Sequence, residues 1–252
     1  MKTAVTEFLA MFRDGAGRFR VDLPEETPHQ KMVRGYEARE PEMIEVMKLV
    51  LPDGSTEAQE LALWKERALA ERAGLRPFVN VRHEVQPAGG DDLGLYEETL
   101  RDAAPDLLRL YQSIRSAQLY VDTEDPEGGL RFFPVPEMAT QREYVRGWLE
   151  DDDEGFEESE SGDELELMGM PPWLDDAVVF AGIGQAAERF VLACDGPHKG
   201  SVFAFEHDPL GMRRVAQSFE QFLRLVRNKP LDVAKWVGIC DAVEYQHASA
   251  IR

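Results

Sequence analysis

The stretch CDGPHKGSVFAFEHD, residues 194–208, places one cysteine, two histidines and three acids within fifteen positions. A Cys–His pair can make a nucleophile, and histidine with carboxylates can hold a metal. Spacing decides between these and a plain hairpin. ERFVLAC and GSVFAFE read as paired strands with DGPHK as their turn, which puts His198 at the tip and His207 at the far end of the second strand. An extended path at about 3.3 Å per residue then separates the two histidines by more than about 20 Å, too far for a shared metal or proton relay. His207 and Asp208 are adjacent on an extended chain and point to opposite faces. Asp208 reads more economically as a helix cap. Cys194 with His198 stays as the candidate for a cysteine-dependent enzyme. An orienting acid and an oxyanion site are not recognisable beside it, and the alternative is a buried structural cysteine.

Cys240, Glu244 and His247 follow at spacings of four and three, which on one helix share a face. One helix gives fewer ligands than a metal takes, and Trp236, Val237 and Val243 beside Cys240 place it in a core. GIGQAA resembles a dinucleotide loop, but ERFVLAC follows it as a strand where a helix is required. The phosphate-loop, nucleophile-elbow, zinc-protease and G-x-G-x-x-G patterns are absent from the sequence. The expectation is therefore no catalytic residue, no cofactor and no metal.

The charge is more informative. With 48 acids against 28 Lys and Arg, the formal net charge is −20. Such a chain is repelled by phosphate backbones and anionic lipids, so nucleic acid and membranes are poor partners and basic proteins the natural complement. Residues 150–166, EDDDEGFEESESGDELE, hold eleven acids and no base, over half of that net charge. A block this polar cannot bury enough apolar area to offset its ordering entropy, which predicts a disordered acidic insertion near 150–172. Its readings are a solvated loop or a surface for a basic partner. The alternating ligands and central glycine of a calcium loop are missing. The partner-binding candidates are Asp151, Asp152, Asp153, Glu154, Glu157, Glu158 and Glu160.

Two cysteines are too few for a disulfide framework, Glu7 interrupts the apolar start, and AVVFAGIG is far short of the roughly 20 residues that span a bilayer. A reducing, cytoplasmic setting is expected.

The elements that must position these residues follow from periodicity. Residues 1–90 read as a mainly helical region. Its clearest helix is STEAQELALWKERALAERAG, capped at Ser55 or Thr56 and closed by Gly74, with PFVNVRHEV as a strand. QPAGGDD marks a boundary near 90. Beyond it, LYEETLRDAAPDLLRLYQSI predicts one or two helices broken at Pro105. QLYVD and LRFFPV predict strands around TEDPEGG, and PEMATQREYVRGWLE a helix. DAVVFAGIG, ERFVLACDG and GSVFAFEHD predict three more strands. GMRRVAQSFEQFLRLVRN carries the apolar stripe Met212, Val215, Phe219, Phe222, Leu223 and Val226, with Asp208 and Pro209 as its start. LDVAKWVGICDAVEYQHAS predicts a last helix. The sum is an α+β fold with a small, mostly antiparallel sheet and helices on one face.

That order, with the residues PDLLRLYQSIRSAQLYV, LRFFPVPEM, ERFVLACDG, KGSVFAFEHDP and VAQSFEQFLRLV, resembles the SUKH superfamily of Smi/Knr-type domains over about residues 100–228. Phe190, Gly200, Val202, His207, Asp208, Ser218, Phe219, Phe222 and Leu223 fit its hairpin-and-helix pattern. Ser116-Ala117 stands where such domains usually carry Asn-Gly. The resemblance implies an α+β fold and non-enzymatic protein binding, including neutralisation of a basic, nuclease-like toxin by an immunity protein, with no catalytic residues to carry over. The alternative is an intracellular scaffold that uses residues 1–90 as a docking module beside the SUKH-like domain at 91–252.

Overall fold

The computed structural model describes residues 3–12, 15–89, 93–94, 96–150, 155–161, 164–239 and 242–248. Contacts divide the chain into two compact units, residues 1–20 with 79–252, and residues 21–78. The helical module is thus an insertion within the first ninety residues and does not fill them. It comprises α1's successors α2 (Pro28–Glu37), α3 (Pro41–Val50) and α4 (Glu57–Gly74), whereas α1 (Ala4–Met11) belongs to the larger unit. Thr27 and Thr56 cap α2 and α4, each in a reciprocal box with a glutamine three residues on. Tyr36, Met47 and Trp64 form the small core of this unit, and the Trp64 indole N–H donates to Glu60 at 2.9 Å.

In the larger unit the chain continues through β1 (Ala16–Val21), β2 (Phe78–Pro87), α5 (Glu97–Ala103), α6 (Pro105–Ser113), β3 (Ile114–Asp122), β4 (Leu130–Phe132) and α7 (Val135–Glu150). After α7 come β5 (Glu157–Ser161), β6 (Glu164–Met168), a short 3₁₀ turn at Leu174–Asp176, β7 (Val178–Ile183), β8 (Arg189–Leu192), β9 (Val202–His207) and β10 (Leu210–Ala216). The chain closes with α8 (Phe219–Asn228), α9 (Pro230–Trp236) and β11 (Ala242–His247). The class is α+β. Among the described residues the sheet has eleven strands, in the order β11-β1-β2-β3-β4-β7-β8-β9-β10-β6-β5, and every neighbouring pair from β2 to β5 is antiparallel.

Alternation along β7 and β8 sets the two faces. Val179 and Val191 join Val145 and Leu149 of α7, together with Phe203, Phe205, Leu165 and Leu167. Phe180 and Phe190 point the other way, onto Phe222 of α8 at ring distances of 5.4 and 5.1 Å. The sheet therefore carries helices on both faces, not one. Phe222 also meets Phe132 and Phe219 and stacks on Trp236, so one side chain joins β4, β7, β8, α8 and α9. The buried Tyr111 hydroxyl donates to the Phe133 carbonyl at 2.7 Å, with the Phe180 carbonyl at 3.1 Å, and ties α6 to the sheet.

Between β2 and β3 the register shifts so that Leu119 and Tyr120 oppose His83 alone, a β-bulge. Tyr120 sits at φ 58°, and its amide donates to His83 Nδ1 at 3.0 Å. His83 Nε2 therefore carries the proton and donates to the Tyr245 hydroxyl at 2.7 Å. Phe12 and the rings of Tyr120 and Tyr245 enclose the imidazole, and burial, with His247 adding to it, pushes its pKa down to about 3.

Two helices expected from the sequence are different in part. Residues 210–216 form β10, and the helix begins after it at Phe219 with Ser218 as cap, its hydroxyl accepting from the Gln221 amide at 3.1 Å. Asp208 and Pro209 make the β9–β10 turn, not a helix start. Gly211 is needed where β10 crosses β6, since a Cβ there would lie 2.9 Å from the Leu167 carbonyl oxygen. The last expected helix stops at Trp236. Gly238, at φ 77°, ends it, and Ala242–His247 return as a strand.

Candidate functional site

Why do residues with so many carboxylates form a strand? In Glu164-Leu165-Glu166-Leu167-Met168 the leucines alternate with acids, and both leucines are fully buried against Phe203, Phe205 and Met212. That apolar row anchors β6 to β10, where Met212 faces Leu167 and Arg213 faces Glu166. β5 then pairs with β6 over five residues, from Glu157 opposite Met168 to Ser161 opposite Glu164. The expected insertion is thus an ordered hairpin over 157–161 and 164–168, because its alternating leucines supply the burial that its overall composition conceals.

Of the sequence candidates, Asp151, Asp152, Asp153 and Glu154 lie outside the described residues. Glu157, Glu158 and Glu160 lie together on β5, all five of whose residues are exposed. Cross-strand partners share a face. Glu158 and Glu160 lie on the side of Leu167 and Leu165, beyond the rim of the core, and Glu157 lies on the side of Glu166 and Glu164. Two basic groups hold the inner pair. His198 Nε2 is 3.1 Å from Glu158, and the Arg214 guanidinium is 3.7 Å from Glu160. Glu164 and Glu166 extend the acidic ridge onto β6. The sequence reading counted these acids without assigning them, and the E-L-E-L alternation is the signal that places them on a strand.

The Cys194 and His198 pairing does not form. The Cys194 sulfur lies against the Leu192 carbonyl at 3.6 Å, and His198 faces Glu158. Burial, with Asp176 adding to it, pushes the Cys194 thiol up to about 12. The cleft beside it is lined by Glu98, Asp102, Asp176 and Asp195, with Lys199 paired to Asp102. This environment opposes a thiolate. At pH 8 iodoacetamide is expected to modify Cys194 about a thousandfold more slowly in the folded protein than in urea, read by peptide mass spectrometry, because the thiolate fraction falls with each unit of pKa. Equal rates would show an accessible, activated thiol.

The β8–β9 hairpin is as expected, with Leu192 opposite Val202, so His198 and His207 stand at opposite ends. His207 Nδ1 meets Glu188 at 2.8 Å. Cys240 lies outside the described residues. Glu244 and His247 are on β11, where His247 Nε2 lies 2.7 Å from the Met11 carbonyl oxygen. Among the described residues no three His, Cys, Asp or Glu group as metal ligands. No helix among them is long and apolar enough to cross a membrane.

Seven of the nine residues that carry the family pattern are scaffold, and His207 and Asp208 are exposed at the β9–β10 turn. Phe190, Val202, Phe219, Phe222 and Leu223 are buried, Gly200 turns the hairpin at φ 88°, and Ser218 caps α8. The described residues form an α+β domain with an acidic sheet edge at β5 and β6. Residues 104–225, from the start of α6 into α8, match the model of the SMI1/KNR4 family (SUKH-1). The acidic hairpin lies inside the matched range. No characterised protein and no solved structure matches the chain.

Proposed function

We propose that this chain is a non-enzymatic binding protein whose acidic sheet edge engages a basic protein, in the manner of an immunity protein covering the phosphate-binding groove of a nuclease-like toxin. The observation that carries this reading is the set of five carboxylates fixed on β5 and β6 within a SUKH domain. Acidic side chains held by a rigid ladder match the charge of a phosphate site and speed encounter through long-range attraction. The triple variant Glu157→Gln, Glu158→Gln, Glu160→Gln is expected to slow association with a basic partner at least about tenfold at low salt and to flatten the salt dependence, measured by stopped flow. Unchanged rate and salt slope would remove the acidic edge from recognition.

A second reading, an intracellular scaffold, is favoured by the helical unit. Leu23, Leu49, Val50, Leu63 and Leu69 all lie in residues 21–78 and account for most of the large exposed apolar side chains among the described residues. A partner retained after deletion of β5 acids but lost on Leu49→Lys with Leu69→Lys would select the scaffold.

A further inference from the structure

β5 is the last strand of the sheet and pairs only with β6 among the described residues, so one flank of its backbone has no ladder partner. Such an edge is a template for another strand. Edges are commonly blocked by proline, a bulge, extreme shortness or charged side chains, and β5 carries only the last of these, which turns away like-charged strands and leaves oppositely charged ones. Glu157–Ser161 contains no proline and keeps an unbroken register over five pairs. At about 3.4 Å per residue this offers about 17 Å of regular edge. It is also held in place before any partner arrives. Leu165 and Leu167 bury the neighbouring strand, and His198 and Arg214 pair with Glu158 and Glu160. A preformed edge spares an incoming strand the cost of ordering its template.

Charge decides the occupant. A second copy pairing along β5 would set Glu157, Glu158 and Glu160 against the same residues, and like charges across strands are destabilising. A strand bearing lysine or arginine meets carboxylates on both of its faces, Glu158 and Glu160 on one and Glu157 on the other. We propose that β5 is a docking edge that adds an extended, lysine- or arginine-bearing segment of a partner protein to the sheet by backbone hydrogen bonding. This rests on the acidic-edge reading above and specifies how that edge binds.

The test uses the full chain and a synthetic nine-residue peptide of alternating lysine and valine. A second peptide of the same sequence is N-methylated at its three central residues, which blocks both of its edges and keeps its charge. Titration by fluorescence anisotropy is combined with amide hydrogen exchange across residues 157–161. The expected result is binding of the first peptide, slowed exchange of β5 amides, and affinity at least about tenfold weaker for the methylated peptide, as two or so lost backbone hydrogen bonds imply. Equal binding of both peptides with unchanged β5 exchange overturns strand addition and leaves the acidic-edge reading in place. Binding of neither peptide at low salt overturns both. Slowed β5 exchange in the protein alone, with dimers in sedimentation, overturns the basic occupant in favour of a second copy.

Discussion

Phe222→Ala is expected to destabilise the larger unit by about 3–5 kcal/mol, the cost of removing a phenylalanine from a packed core. Phe222 is fully buried, and its ring contacts Phe132, Phe180, Phe190, Phe219 and Trp236. Those neighbours come from two helices and three strands, so they cannot all collapse into the space left behind. A domain of this kind is stable by only about 5–15 kcal/mol, and the loss consumes a large share of it. Phe222→Leu keeps most of the volume and is expected to cost less than half as much. Leu69→Ala, at a residue 73% exposed, should stay within about 0.5 kcal/mol. Urea unfolding of the three variants checks the order. A Phe222→Ala midpoint equal to that of Leu69→Ala would mean that α8 is not the keystone of this face.

The second large effect is acid sensitivity from His83. Its folded pKa, about 3, lies below the ordinary value of 6.5, because the enclosed imidazole gives up hydration on charging. Between those values the unfolded chain binds a proton that the folded chain does not, so protons favour unfolding. The stability that this neutral histidine contributes is complete above about pH 6.5 and is lost as pH falls toward 3. At pH 5 the loss is about 2 kcal/mol, from 1.5 units at about 1.36 kcal/mol each. Tyr120 and Tyr245, which hydrogen-bond the ring, have their own pKa values raised by burial and stay neutral across this window, and His247 is the chargeable neighbour that adds to the lowering. His83→Gln keeps a donor and an acceptor without titrating. The drop in unfolding free energy from pH 7 to pH 5 should be about 2 kcal/mol smaller in His83→Gln than in the parent, carboxylate effects being common to both. Equal drops in the two proteins would show that His83 is hydrated and free to charge.

Some elements were legible because one periodicity dominated them. Ser55 or Thr56 as cap and Gly74 as end announce α4, the break at Pro105 separates α5 from α6, and the runs of Val, Phe and Ala mark β7, β8 and β9. Errors came where two periodicities overlap. Met212 and Val215 sit at helical spacing from Phe219, so the stripe of α8 continues by coincidence through β10, and only pairing with β9 and β6 exposes the strand. Gly238 in the sequence was a stop signal that the Val233, Trp236 and Val237 stripe concealed. In the acidic hairpin composition masked pattern. Eleven acids argue for disorder, yet Leu165 and Leu167 at a spacing of two are both buried in the sheet core. Glu157, Glu158 and Glu160 share one strand, and their arrangement as a strand edge depends on long-range pairing that no local window contains.

The helical unit leaves the sheet after β1 and returns as β2, its adjacent strand, and the Val21 amide donates to the Pro77 carbonyl at 2.9 Å. Its two ends are thus one hydrogen bond apart. For an unstructured insertion, the entropy of bringing β1 to β2 would grow with the logarithm of its length. Helices form from local contacts and faster than sheets of high sequence separation. Once α2 and α4 have packed on each other, the insertion holds its own ends close, and the loop entropy that opposes pairing of β1 with β2 falls below that of an unstructured segment of equal length.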